Sequence, residues 1–106
     1  MKLRITDNAI DNLEEILFYL EFIKYSPDSA KRAKTKIIQK IKKNILIHPH
    51  SYRECEEIIT KTKIYRKALC SPYWIIYKIK PFEIVILGFI HTSQSSSKTK
   101  ALRRVK

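Results

Sequence analysis

Glycine is almost missing from this chain. Gly88 is the only one in 106 residues, which excludes the glycine-rich loops that cradle nucleotide phosphates, and no HExxH metalloprotease motif is present. Acidic residues are scarce too, with ten Asp and Glu against 22 Lys and Arg, a net charge of +12. That imbalance favours a polyanionic partner: nucleic acid, an acidic protein or an anionic surface. No apolar run approaches the roughly 20 residues of a membrane span, so no membrane partner is expected. The opening "MKLRITDNAI" has neither a continuous apolar core nor a small-residue cleavage site. Two cysteines, Cys55 and Cys70, lie in segments of different character. Reduced thiols and a cytoplasmic location are the expectation.

What is present suits one folded domain spanning residues 1–106, since 44% of the residues are apolar. "LRITD" alternates as a short half-buried strand does. Thr6, Asp7 and Asn8 then offer three N-caps, and Ile10, Leu13, Leu17 and Leu20 follow at helical spacing, predicting a helix over 8–23 that is acidic outside and aliphatic inside. Ser26 as N-cap and Pro27 at the first helical position restart the pattern. Ala30, Ala33, Ile37, Ile38, Ile41 and Ile45 form one face, Lys31, Arg32, Lys34, Lys36, Lys40, Lys42 and Lys43 the other, and Pro49 ends the run. Two such helices with a short connection predict an antiparallel hairpin.

Residues 48–63 read as a loop with a turn of helix. After them the period changes to two. "IYRKALC", "YWIIYKIK" and "EIVILGFIHT" predict a meander of three antiparallel strands, and the last, apolar on both faces, is a central strand under the helices. The fold class is therefore α+β: a strand, a helical hairpin and a C-terminal antiparallel meander. A basic tail from about 95 to 106 is either a disordered arm or a short helix that orders on a partner.

Candidate chemistry is sparse. His48, His50 and Cys55 lack a fourth ligand for a structural metal site, so neither metal nor cofactor is expected, and Cys70 has no accompanying base and reads as a small hydrophobe. Arg66 and Lys67 fall on opposite faces of a strand, so one of them points onto an exposed surface. His91 leaves the end of the central strand, where a rigid scaffold presents a side chain to a ligand. Brought together, His91 as general base and Arg66 as phosphorane stabiliser would make a metal-free ribonuclease; apart, they are solvated charges and a satisfied histidine. Arg53, Lys67, Gln94, Lys98, Lys100, Arg103 and Arg104 are candidates for contact with an anionic target. Tyr52, Tyr65, Tyr73, Trp74 and Tyr77 alternate with basic residues, as in base-stacking grooves and equally in packed sheets.

The element order, with "YRKAL", "YWIIYKI" and "IVILGFIHTSQ" in succession, resembles the RelE/ParE superfamily of type II toxins over essentially the whole chain. The resemblance maps Tyr65 and Arg66, then Tyr73, Trp74 and Tyr77, then His91 and Gln94, onto the family's three strands. Trp74 and Gln94 stand where arginine is common. In ribosome-dependent RelE-like nucleases those positions help to hold and cleave mRNA, and neither Trp nor Gln replaces a guanidinium there. The resemblance thus implies a ParE-like toxin that arrests growth by poisoning DNA gyrase. The alternatives are a RelE-like mRNA endonuclease using Arg66 and His91 on the ribosome, and a non-toxic basic nucleic-acid-binding module. It also implies a small antitoxin partner.

Overall fold

The computed structural model describes residues 1–106. A short strand, β1 (Lys2–Ile5), leads into α1 (Asp7–Phe18), which continues as a π-helical turn over Tyr19–Ile23. Of the three candidate caps, Thr6 takes the role: its hydroxyl accepts the Ala9 N–H at 3.1 Å. The helix ends at Tyr25, whose φ of 51° is left-handed. Ser26 then caps α2 (Pro27–Lys40), with Pro27 in its first turn and a π-helical turn over Ile41–Ile45 behind it. The predicted hairpin therefore forms with nearly the predicted bounds.

Residues 48–63 carry one short 3-10 turn, Pro49–Ser51. Strands β2 (Tyr65–Cys70), β3 (Tyr73–Lys80) and β4 (Glu83–His91) follow as the antiparallel meander. The N-terminal strand joins them by pairing parallel to β4, giving a four-stranded mixed sheet in the order β1-β4-β3-β2. β4 is interior, as its two apolar faces require. No helix is long and apolar enough to cross a membrane.

The sheet separates two cores. On one face the hairpin contributes Ala9, Ile37, Ile41 and Ile45 against Tyr73, Ile75, Tyr77, Ile84, Ile86 and Phe89. On the other, Ile76, Val85, Leu87 and Ile90 pack with Cys55, Ile58, Tyr65 and Leu102. This second core corrects the reading of the tail. Residues 96–104 are neither a loose arm nor a helix waiting for a partner: α3 (Ser96–Ala101) and a 3-10 turn (Leu102–Arg104) lie on the sheet and bury Thr99 and Leu102. The apolar Leu102 and Val105, interleaved among the basics, close the face that the hairpin leaves open.

β4 is longer than β1, so its upper half needs other partners. The Thr6 N–H and hydroxyl both donate to Ile86 O, at 3.1 and 2.8 Å. Asn8 donates its side-chain N–H to Leu87 O at 2.9 Å, and Asn12 Oδ1 accepts the Phe89 N–H at 3.1 Å. Polar side chains of α1 thus replace a strand edge, as buried backbone groups demand. Gly88 lies beneath them. A Cβ there would stand 2.7 Å from Asn12 Oδ1 and 3.0 Å from Leu102 Cδ2, so the single glycine marks the place where helix, sheet and tail meet most closely.

Candidate functional site

A register shift in β4 decides where its last side chains point. Tyr77 pairs with Ile86, but the preceding Ile76 pairs with Gly88, so one extra residue is inserted in β4. Past this bulge the alternation reverses. Phe89 joins Ile84 and Ile86 on the hairpin side, and His91 stands opposite Tyr73, its ring edge-on at 5.5 Å between centroids. The bulge therefore turns His91 towards the hairpin.

There it borders a groove of about 690 Å³ between α1 and the end of the sheet, whose wall includes Tyr19, Lys24, Tyr73, Gln94 and Lys98. Lys24 lies over the Tyr19 ring at 5.7 Å. Burial, helped by Tyr19, raises the Tyr73 phenol above its ordinary value. Gln94 fixes the turn after β4: its Oε1 accepts the His91 N–H at 2.8 Å, and its own N–H donates to His91 O at 2.9 Å. Of the candidates read from the sequence, His91, Gln94 and Lys98 come together here. Tyr19 and Lys24 escaped that reading because α1 gave no sign of which turn would overhang the end of β4; only the helical spacing from Asn12 through Ile16 to Tyr19 hinted at a shared face.

Arg66 is elsewhere. It pairs with Tyr77 across β2 and β3, whereas His91 pairs with Tyr73 across β3 and β4. The two are thus separated by about 13 Å along the strands and by two strand spacings. The Arg66 guanidinium is already occupied, donating to Lys63 O at 2.9 Å, His50 O at 3.1 Å and Tyr52 O at 2.9 Å. Beside it the buried Tyr77 hydroxyl donates to Pro49 O, its acidity suppressed chiefly by burial. These two side chains anchor the loop between hairpin and sheet.

Lys67, on the opposite face, is only 6% exposed. Of the pair, Arg66 is the half-exposed one, its guanidinium engaged by loop carbonyls, while the loop folds back over Lys67 and buries it. Glu54 bridges to Arg66, and the Cys55 N–H donates to Tyr65 O at 2.8 Å. Lys67 Nζ lies 3.3 Å from Glu57, 3.4 Å from Glu56 and 4.5 Å from the centre of the Trp74 ring. Arg53 pairs with Glu56 and covers the same ring at 5.7 Å. Trp74 is thus the floor of a cation and carboxylate cluster.

Lys100, Arg103 and Arg104 border a third region, with Glu57, Ile58 and Ile59. Neither thiol is a ready nucleophile. Burial above all pushes Cys55 up to about 11, and burial raises Cys70 despite Lys40 and Lys36 nearby.

The chain is thus an α+β domain in which a strand and a helical hairpin precede an antiparallel meander whose last strand, β4, is interior to the sheet and ends in His91. Within it, the family model described as the ParE toxin of type II toxin-antitoxin system, parDE, matches residues 3–96, and the chain belongs to that family. A solved structure described as the chromosomal ParDE TA system from P. aeruginosa is similar in fold, with a TM-score of 0.66 at 24% identity, covering 86% of this chain and 95% of that one. No curated protein matches the sequence significantly.

Proposed function

We propose that this toxin arrests bacterial growth by binding DNA gyrase, without cleaving RNA itself, and that a small antitoxin neutralises it. The observation that carries the reading is the dispersal of the nuclease set. Arg66 holds three loop carbonyls on one part of the sheet while His91 stands on another. An RNA-cleaving site needs a base and a cation within reach of one phosphate. Family membership supports the antitoxin partner and the ParE-like target together. The groove beside His91, with Tyr19, Lys24, Gln94 and Lys98, is the surface assigned to target contact.

The test is a brief pulse of induced expression in bacteria, with DNA and protein synthesis followed separately by label incorporation. Failure of DNA synthesis first, together with inhibition of purified gyrase by the purified toxin, is the expected result. Failure of translation first, with mRNA cut in ribosomes, overturns it.

A further inference from the structure

The hairpin carries a charge arrangement that the sheet end does not use. Residues 7–23 hold five of the ten acidic residues, Asp7, Asp11, Glu14, Glu15 and Glu21, and no Lys or Arg. Residues 27–43 hold seven cations and one carboxylate, Asp28. α1 and α2 lie side by side on one face of the sheet, yet no ion pair joins them. The pairs in the molecule are Arg4 with Glu83, Arg53 with Glu56, and Lys67 with Glu56 and Glu57. Acid and base are therefore displayed in parallel stripes on the outside of the hairpin.

The acidic stripe also carries apolar surface. Counting 100° per residue from the buried Ala9 puts Phe18 on the side of α1 opposite the core, with Phe22 beside it. They are 58% and 55% exposed, with ring centroids 5.0 Å apart. Phe18 shares a shallow depression with Asp11, Glu14 and Glu15. On α2 and the π-helical turn behind it, Lys31, Arg32, Thr35, Lys36, Gln39 and Lys43 are all exposed, with Arg32 and Lys36 on the side that borders Cys70 and Tyr73. Lysine stems and heads can cover an aromatic ring while pairing with carboxylates around it.

From this we infer that the outer face of the hairpin binds a second copy of the chain. Rotating one copy by half a turn about an axis parallel to the helices sets α1 on the partner's α2 and α2 on the partner's α1. The acidic stripe then meets the basic one twice, and Phe18 and Phe22, level with the first turns of α2 in the other copy, pack against the stems of Lys31 and Arg32. Such a contact is isologous and closed. A polyanion laid across the same face would meet the α1 carboxylates, which disfavours nucleic acid as the occupant. Helices about 20 Å long and about 10 Å apart give a contact of modest area, so the dimer is weak and salt-sensitive, its net positive charge screened beyond about 8 Å at physiological ionic strength.

The inference stands independently of the gyrase reading and is tested by sedimentation on three full-length proteins: the wild type, an acid-reversed variant (Asp11→Lys, Glu14→Lys, Glu15→Lys) and a base-reversed variant (Lys31→Glu, Lys36→Glu, Lys43→Glu). All substitutions are at exposed helix positions. The wild type is expected to dimerise reversibly, with a dissociation constant that rises at least tenfold in high salt or with Phe18→Ser and Phe22→Ser. Each reversed variant is expected to be monomeric, and an equimolar mixture of the two to form a heterodimer, which also shows that both fold. A monomeric wild type at all concentrations, reversed variants that still dimerise alone, or a mixture that stays monomeric would each overturn the inference.

Discussion

The backbone N–H of Ser93 donates to Nδ1 of His91 at 3.0 Å, and the Ser93 hydroxyl lies 2.7 Å from the same nitrogen. A main-chain N–H can only donate, so Nδ1 presents its lone pair and the neutral ring carries its proton on Nε2. The nitrogen facing away from Ser93 is then a donor, not a base. A nitrogen NMR spectrum of the neutral imidazole should show Nδ1 unprotonated and Nε2 protonated. His91→Ala should leave growth arrest in place, with potency changed less than tenfold through the groove contacts alone. Complete loss of arrest in a folded His91→Ala protein would restore the catalytic role.

Arg66 tests the same question from the other side. Its three carbonyl contacts tie residues 50, 52 and 63 to β2, and hydrogen bonds from a charged donor are stronger than neutral ones. Arg66→Ala should lower unfolding free energy by about 2 kcal/mol, discounted for partial exposure. Lysine should recover little of this, since an ammonium lacks the planar fork that reaches three acceptors. Urea denaturation gives the stability. Hydrogen exchange should accelerate mainly in residues 48–63, which a purely catalytic arginine would not produce.

The sequence and the structure agree most closely where one local rule operates. Thr6 and Ser26 as caps, Pro27 at the helix start and the change of period after residue 63 are all local signals. The parallel pairing of β1 with β4 joins residues about 80 positions apart, beyond the reach of periodicity. The bulge at Leu87 and Gly88 hid for another reason: in a strand apolar on both faces, a change of phase leaves the pattern unchanged. Basic residues in the tail concealed Leu102 and Val105, and nothing in "YRKAL" indicated that a loop would occupy the Arg66 guanidinium and bury Lys67. Sites assembled from distant segments are the part that sequence reading loses.

Lys67 gives a pH-dependent prediction. Burial works to raise the Glu57 carboxyl, but its own backbone N–H and Lys67 outweigh it, and the folded value lies below 4.5. A depressed carboxylate contributes stability that is present above its unfolded pKa and lost as pH falls through the folded one. Wild-type stability should therefore drop as pH decreases below 4.5. Lys67→Met should remove part of that drop and cost about 2 kcal/mol at neutral pH, because Glu57 keeps its charge without its partner. Since Lys67 sits against Trp74, the indole fluorescence of the native protein should change in the variant, giving a readout specific to this cluster.

Gly88 is the most demanding position in the sheet. A methyl group there would press on Asn12 Oδ1, which accepts the Phe89 N–H, and on Leu102 of the tail. Gly88→Ala should therefore destabilise the fold by about 2 kcal/mol, combining overpacking with a lost buried hydrogen bond. Asn12→Ala alone should also destabilise it, by leaving the Phe89 N–H unpaired. In the double variant the new methyl no longer meets Asn12, so the combined loss should be smaller than the two single losses added together. Thermal or urea unfolding of the four proteins closes the cycle. Strict additivity would show that Gly88 is required by Leu102 and not by Asn12, which would move the constraint from the hairpin to the tail.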